Sequence, residues 1–330
     1  MRKFISGVLA LVLLLGTWMA VTGFSPDIKK IQLGLLETGT ANWEIAAIRA
    51  LELDKKNKIE IDVRPLASGG AGQIALQGGA VDVILSDFIW VSVQRNQGAD
   101  FTTVPHSLAV GALMVDPDGS VNTIADLEGI TIGIAGGPVD KSWVILQAYY
   151  SAKLGGSLAE NVSAKFGSPP FINELLQTGQ SQASLNFWHW NARARVAGMK
   201  EMISVKEMLV ELGVERTSPL LGWVFSESNA GNKKQEIKSF LNASFEAKHA
   251  LLTDDSVWDM IRDSMRVKDN DALFVELRDA YRAGIVTSYT QEDVAAAAQS
   301  FALMAQYGGS DLVGEIPTLA RGTFWGGYHK

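Results

Sequence analysis

The 330-residue sequence contains no cysteine. That excludes disulfides, thiolate metal ligands, a cysteine nucleophile and a lipidated N-terminal cysteine. Histidine is scarce. His106, His189, His249 and His329 lie far apart, with no HExxH or HxH spacing and no acid at metal-ligand spacing, so no metal site is expected. There is no G-x-S-x-G elbow and no phosphate-loop lysine, and no cofactor is expected. Positive charge is also short. The formal net charge is −7 and the basic residues are scattered, which excludes a nucleic-acid partner. Beyond the N-terminus no apolar run is long enough to span a membrane. What remains is 47% hydrophobic and 20% charged, the composition of a globular chain with a real core. Its length, against ~100–200 residues per domain, predicts two lobes.

The N-terminus carries a distinct pattern. Arg2-Lys3 precedes an apolar run from Phe4 to Leu15, and small residues follow around Ala20 to Ser25. This is the order of a secretory signal, assigned to 1–23, with cleavage after Thr22 or Gly23. An uncleaved anchor is the alternative, and Gly16-Thr17 interrupts the run it would need. The expected mature chain is periplasmic, not a lipoprotein and not embedded in the membrane.

Strand and helix patterns alternate from there. Buried strands are expected over 31–36, 59–65 and 81–85, and helices over 42–56 and 88–96. A Gly-rich turn, Ser68-Gly69-Gly70-Ala71-Gly72, leads into a short helix. A long apolar strand over 108–115 ends in the turn Asp116-Pro117-Asp118-Gly119. A second alternating series follows, with strands at 130–135, 162–166 and 183–187. A second long apolar strand spans 220–226, and four helices complete the chain to Gln306. Such alternation predicts an α/β protein with mixed, mostly parallel sheets flanked by helices. The lobes are drawn as 24–112 plus 222–330 and 113–221, exchanging at the two long strands as at a hinge.

Several stretches, in order, resemble one family. They are QLGLLETGTANWEIAAIRALEL, SGGAGQIALQGGAVDVILSDFIWVSVQRNQG, GALMV with TIADLEGITIGIAGGP, ELLQTGQSQASLNFWHW, and PLLGWVFSES. Together they are similar to the periplasmic substrate-binding proteins of nitrate, sulfonate and taurine ABC uptake systems, over residues 30–250. The resemblance implies a type II periplasmic-binding-protein fold, a small-molecule ligand and a membrane permease with its ATPase as partners. It implies a monomer and no enzymatic activity. The chain departs from the family where Asp-Ala is usual, having Ala183-Ser184. It departs again at Gly136-Gly137-Pro138-Val139-Asp140, where an acid at a helix start repels an anion. Enzymes of pyrimidine-precursor or menaquinone-pathway type share this fold, and a ligand-sensing module for a membrane receptor is a third reading. The export signal disfavours the cytosolic enzymes.

Ligands of open α/β sheets sit beyond the carboxyl ends of strands, beside helix N-termini. Candidate ligand-binding residues are therefore Thr40, Asn42 and Trp43; Ser68, Gly69 and Gly70; Asp87; and Gly136, Gly137 and Asp140, with Lys141 beside them. Thr40 or Asn42 also reads as a helix cap, Trp43 as core, and Asp87 as the cap of helix 88–96. Gly70 to Ala75 fits G-x-G-x-x-A, but Gly78-Gly79 cuts the helix too short for a dinucleotide site. The cluster Phe187-Trp188-His189-Trp190, read at a strand end, supplies Trp188, His189 and Trp190 as an aromatic wall, with at least one Trp expected in the core. These residues lean toward an amine-bearing or aromatic ligand over nitrate or bicarbonate.

Overall fold

The computed structural model describes residues 29–214 and 216–328; the expected signal over 1–23 lies outside them. The first sheet collects β1 (Lys29–Leu36), β2 (Ile59–Leu66), β3 (Val83–Asp87), β4 (Phe101–Ser107) and a late strand described below. Its intervening helices are α1 (Ala41–Ala50), α2 (Leu53–Lys56), α3 (Gly69–Gln77) and α4 (Phe88–Asn96). The second sheet holds β5 (Ala112–Val115), β6 (Thr131–Ala135), β7 (Ser163–Gly167), β8 (Ala183–Asn186) and β9 (Lys200–Ser204). Among them run α5 (Lys141–Leu154), α6 (Leu158–Asn161), α7 (Pro169–Gln177), α8 (Trp188–Val196) and α9 (Val205–Glu211). The chain then returns through β10 (Leu221–Ser226) and five helices. These are α10 (Glu227–Asn232), α11 (Lys234–Thr253), α12 (Asp255–Met265), α13 (Asp271–Ala283) and α14 (Gln291–Val313).

The sheet orders are β2-β1-β3-β10-β4 and β7-β6-β8-β5-β9. Each has three parallel strands and, next to them, one antiparallel strand: β10 in the first sheet and β5 in the second. The two sheets thus repeat one plan. Pro65 sits in β2, an edge strand, where a missing N–H leaves no ladder bond unmade.

Local sequence explains most boundaries. The helix expected over 42–56 breaks at Leu51–Glu52, where Glu52 takes a left-handed φ of 52°. The Gly-rich stretch after β2 is not a loop but the first turns of α3. Ser68 caps it, accepting the Ala71 N–H at 3.1 Å. Of the strand expected over 108–115 only 112–115 is strand, β5 of the second sheet; 108–111 is the switch that leads to it from β4 of the first. Leu108, Ala109 and Val110 are as apolar as β5, so the sequence pattern conceals the switch. There is no room for a side chain at the switch: a Cβ on Gly111 would lie 2.0 Å from the Asn186 carbonyl oxygen. The second strand expected to cross, β10, lies wholly within the first sheet.

Two large cores form. One joins β1, β2 and β10 to α1, α11, α12 and α13 through Ile31, Leu33, Trp223, Phe240 and Trp258. The other joins the second sheet to α5, α9 and α14, and takes in Phe88 and Ile89 of α4. The last helix therefore departs from the expected return to the first lobe: α14 packs on both α5 and α4. Its Ala297, Phe301 and Met304 present the apolar face that decides this.

A buried polar cluster sits inside the first core. Glu44 accepts from Ser244 Oγ at 2.5 Å and from the Tyr281 hydroxyl at 3.4 Å. His106 Nδ1 is 3.5 Å and Lys248 Nζ 4.0 Å from the same carboxylate. Burial raises the Glu44 carboxyl above its ordinary range, partly offset by Lys248, and lowers Lys248 and His106.

Two outcomes follow for stability. Removing one member of a buried pair leaves the other charge uncompensated, so Lys248→Met should cost about 3–5 kcal/mol in urea unfolding. The double variant Glu44→Gln/Lys248→Met should cost less than the sum of the single changes, and strict additivity would contradict the coupling. Gly111→Ala should destabilise by about 1–3 kcal/mol as the crossing shifts to admit the methyl; an unchanged midpoint would show that the crossing is loose.

Candidate functional site

The parallel strands of both sheets direct the turns after their carboxyl ends toward one cavity of about 450 Å³. The turn after β1 contributes Leu36, Gly39 and Thr40, the turn after β2 Ser68, Gly69 and Gly70, and the end of β3 Ser86 and Asp87. From the second sheet come Asp140, Lys141 and Ser142 at the start of α5, and Phe187, Trp188 and His189 at the start of α8. The crossing residues Ala109, Val110 and Gly111 lie between the two sets. Six helices, α1, α3, α4, α5, α8 and α9, begin at this space.

Eight of the residues singled out in the sequence line the cavity: Thr40, Ser68, Gly69, Gly70, Asp87, Asp140, Trp188 and His189. Five do not. Asn42 spends its side-chain amide on the carbonyls of Leu36 and Gly39, both at 2.8 Å, and so ties the β1–α1 turn. Trp43 is core at 5% exposure, its ring 6.0 Å from that of Trp188 and 5.8 Å from that of Tyr281. Gly136 turns the chain after β6 with φ 97° and donates its N–H to the Gly167 carbonyl at 2.9 Å. With Gly137 it brings the residues from Asp140 onward to the cavity. Trp190 faces away because the aromatic cluster opens a helix rather than ending a strand, and side chains two apart on a helix diverge. The Arg193 guanidinium lies 4.9 Å from its ring centre.

The lining also includes residues no motif announced. Gln73 of α3 donates to Ser86 Oγ at 3.3 Å, and Ser218 shares a hydrogen bond with Ser300 at 3.2 Å. Val205, Leu209 and Met304 arrive from α9 and α14. Only the tertiary fold brings them in. Phe187 had a visible signal, its place in the aromatic cluster.

The charges at the site are organised in pairs. Asp87 caps α4, accepting the Trp90 N–H at 2.8 Å, and its other oxygen accepts from Lys141 Nζ at 3.1 Å. This bond joins a strand end of the first sheet to a helix start of the second. The Asp87 carboxylate holds the Lys141 ammonium above its ordinary range. Asp140 caps α5, accepting from Ser142 and Trp143 N–H at 2.9 and 3.3 Å; burial raises its carboxyl. His189 is lowered to about 3, first by burial and then by Arg193, so its imidazole is neutral at physiological pH. Its Nδ1 is buried without a hydrogen-bond partner. Among the described residues no group of three or more His, Cys, Asp or Glu could hold a metal ion, and no helix is long and apolar enough to cross a membrane.

A histidine held below its unfolded value of ~6.5 contributes stability that is complete above that pH and is lost as pH falls toward the folded value. Between pH 6.5 and about 3, the protein should therefore lose about 1–3 kcal/mol more than a His189→Gln variant does. Chemical denaturation across that window measures the difference; parallel curves would contradict it.

Comparison with known proteins fits this geometry. Residues 55–255 match the family model described as NMT1/THI5 like. The alkanesulfonate-binding protein SsuA from Xanthomonas axonopodis pv. citri, solved bound to MOPS, superposes with a TM-score of 0.68 at 15% identity, over 90% of this chain and 98% of that one. The periplasmic aliphatic sulphonate binding protein SsuA from Escherichia coli gives 0.69 at 16%, over 90% and 97%. The periplasmic nitrate-binding protein NrtA from Synechocystis PCC 6803 gives 0.56 at 12%, over 80% and 71%. No curated protein sequence matches. These likenesses agree with the resemblance to nitrate, sulfonate and taurine binders that the sequence motifs carry. The chain belongs to the NMT1/THI5-like family and has the type II periplasmic-binding-protein fold.

Proposed function

We propose that this protein is the solute-binding component of an ABC uptake system. It captures one small organic molecule between its two sheets and delivers it to a membrane permease driven by an ATPase. The observation that carries this reading is the cavity of about 450 Å³, walled by strand ends and helix starts from both sheets. A volume of that size suits a drug-sized or smaller ligand. Export of the chain to the periplasm, removal of 1–23 and action as a monomer complete the proposal.

The lobes are assigned as 24–112 with 222–330, and 113–221, with α14 bridging them. Closure is proposed to turn on 108–111 and on the segment between α9 and β10. Three contacts join the lobes so assigned. They are Lys141 on Asp87, Trp188 against Trp43 and Tyr281, and Arg195 of α8 on Glu276 of α13 at 2.5 Å. A ligand favours closure only by the difference in its affinity for the closed and open forms.

The family also includes enzymes. Capture differs from catalysis in its outcome: the ligand leaves unchanged.

A panel of sulfonates, nitrate, pyrimidines, amines and aromatic acids, screened by thermal shift on the mature chain, tests the reading. One class should bind at one molecule per chain and, at about 100 times Kd, add about 2.7 kcal/mol of stability. It should be recovered chemically intact, and small-angle scattering should show compaction. Trp188→Ala should abolish the shift. Turnover of the bound compound, or a full shift in the Trp188 variant, would overturn the proposal.

A further inference from the structure

The cavity contains three charged side chains, Asp87, Asp140 and Lys141, and all three are already engaged within the protein. Among the described residues Lys141 is the one cation in the lining, and it sits on Asp87 at 3.1 Å. Two of the six helix starts that face the cavity, those of α4 and α5, are occupied by the protein's own carboxylates, Asp87 and Asp140. A helix N-terminus ordinarily draws an anion. Here those positions are filled and the local balance is one positive against two negative charges. The starts of α1, α3 and α8 carry no acid in the lining and offer Thr40, Ser68 and backbone to a dipolar oxygen or nitrogen. The rings of Phe187, Trp188 and His189 line the same space.

We propose that the cavity selects an uncharged, planar ligand, and that the Asp87–Lys141 pair is the determinant that rejects ions of either sign. A sulfonate or carboxylate that took Lys141 would strand the Asp87 carboxylate in a closed cleft. An ammonium or amidinium that took Asp87 would strand Lys141. Losing one partner of a hydrogen-bonded charge pair costs more than the new contact returns. An uncharged ligand leaves the pair intact. This inference rests on the capture reading and narrows it. It separates the chain from the fold relatives whose names specify sulfonate or nitrate, and it reassigns Asp87, which the sequence suggested for an amino group.

Three probes of nearly one shape test it by calorimetry on the mature chain: benzenesulfonamide, benzenesulfonate and benzamidinium. The wild type should prefer the sulfonamide over either ion by about tenfold or more. Asp87→Asn keeps a side chain that caps α4 and frees Lys141, so benzenesulfonate should gain about tenfold or more. Lys141→Met frees Asp87, and benzamidinium should gain similarly. The two variants fail independently, so one that does not fold leaves the other to decide. Benzenesulfonate binding the wild type as tightly as the sulfonamide, or gaining nothing in Asp87→Asn, overturns the inference while leaving capture intact. No probe binding the wild type or either variant counts against capture at this cleft, and the inference falls with it.

Discussion

One ion pair ties the two halves of the site together. Lys141, the first residue of α5, reaches 3.1 Å across to Asp87, the last residue of β3. The contact exists because both sheets follow one plan. Their parallel strands end at the same cavity, and the helices after them begin there, so an N-cap acid on one side meets a first-turn cation on the other. The pair does two things at once. It joins the sheets, and it holds the Lys141 ammonium on a carboxylate. Its partners are part-buried, so screening by salt is weaker than for a surface pair.

The rest of the molecule supports that contact through bodies that belong cleanly to neither sheet. The α8 helix follows β8 of the second sheet, yet Trp188 and Ala192 pack into the core of the first. The α14 helix comes after the return to the first sheet, yet it packs on α5 of the second and α4 of the first. Opening the cleft therefore disturbs packed aromatic surface as well as an ion pair. Packed interfaces of this kind have discrete arrangements rather than continuous deformations. Beneath the first sheet's share of the cleft lies the Glu44–Lys248–His106 cluster. Its Glu44 comes from α1, whose N-terminal end borders the cavity, His106 from β4 and Lys248 from α11.

Much of this was readable in the sequence, and the exceptions have physical causes. The β-α alternation, the caps Ser68, Asp87 and Asp140, and the aromatic start of α8 are local signals, set by turn chemistry and periodicity. They located eight of the cavity residues. The crossing at 108–111 was hidden because its residues are as apolar as β5, so connector and strand read as one run. The strand β4 was missed because FTTVPHS reads as polar, although nearly all of it is buried. Trp190 was misplaced with Trp188 by taking a helix start for a strand end, which changes the angle between them. Val205, Leu209 and Met304 left no trace, since an apolar residue on an amphipathic helix looks the same whether it faces a core or a cavity. The ion pair was half visible: both residues stood out singly, and only the fold made them partners.

The central claim is that one uncharged molecule occupies the cleft while Lys141 remains on Asp87. The most direct measurement is a crystal structure of the protein purified from its own cells without unfolding. The account predicts density for one small molecule against Trp188 and His189, with the Lys141–Asp87 bond unbroken. A charged ligand seated on Lys141 or on Asp87 with that bond broken, or a ligand bound elsewhere on the chain, would contradict it.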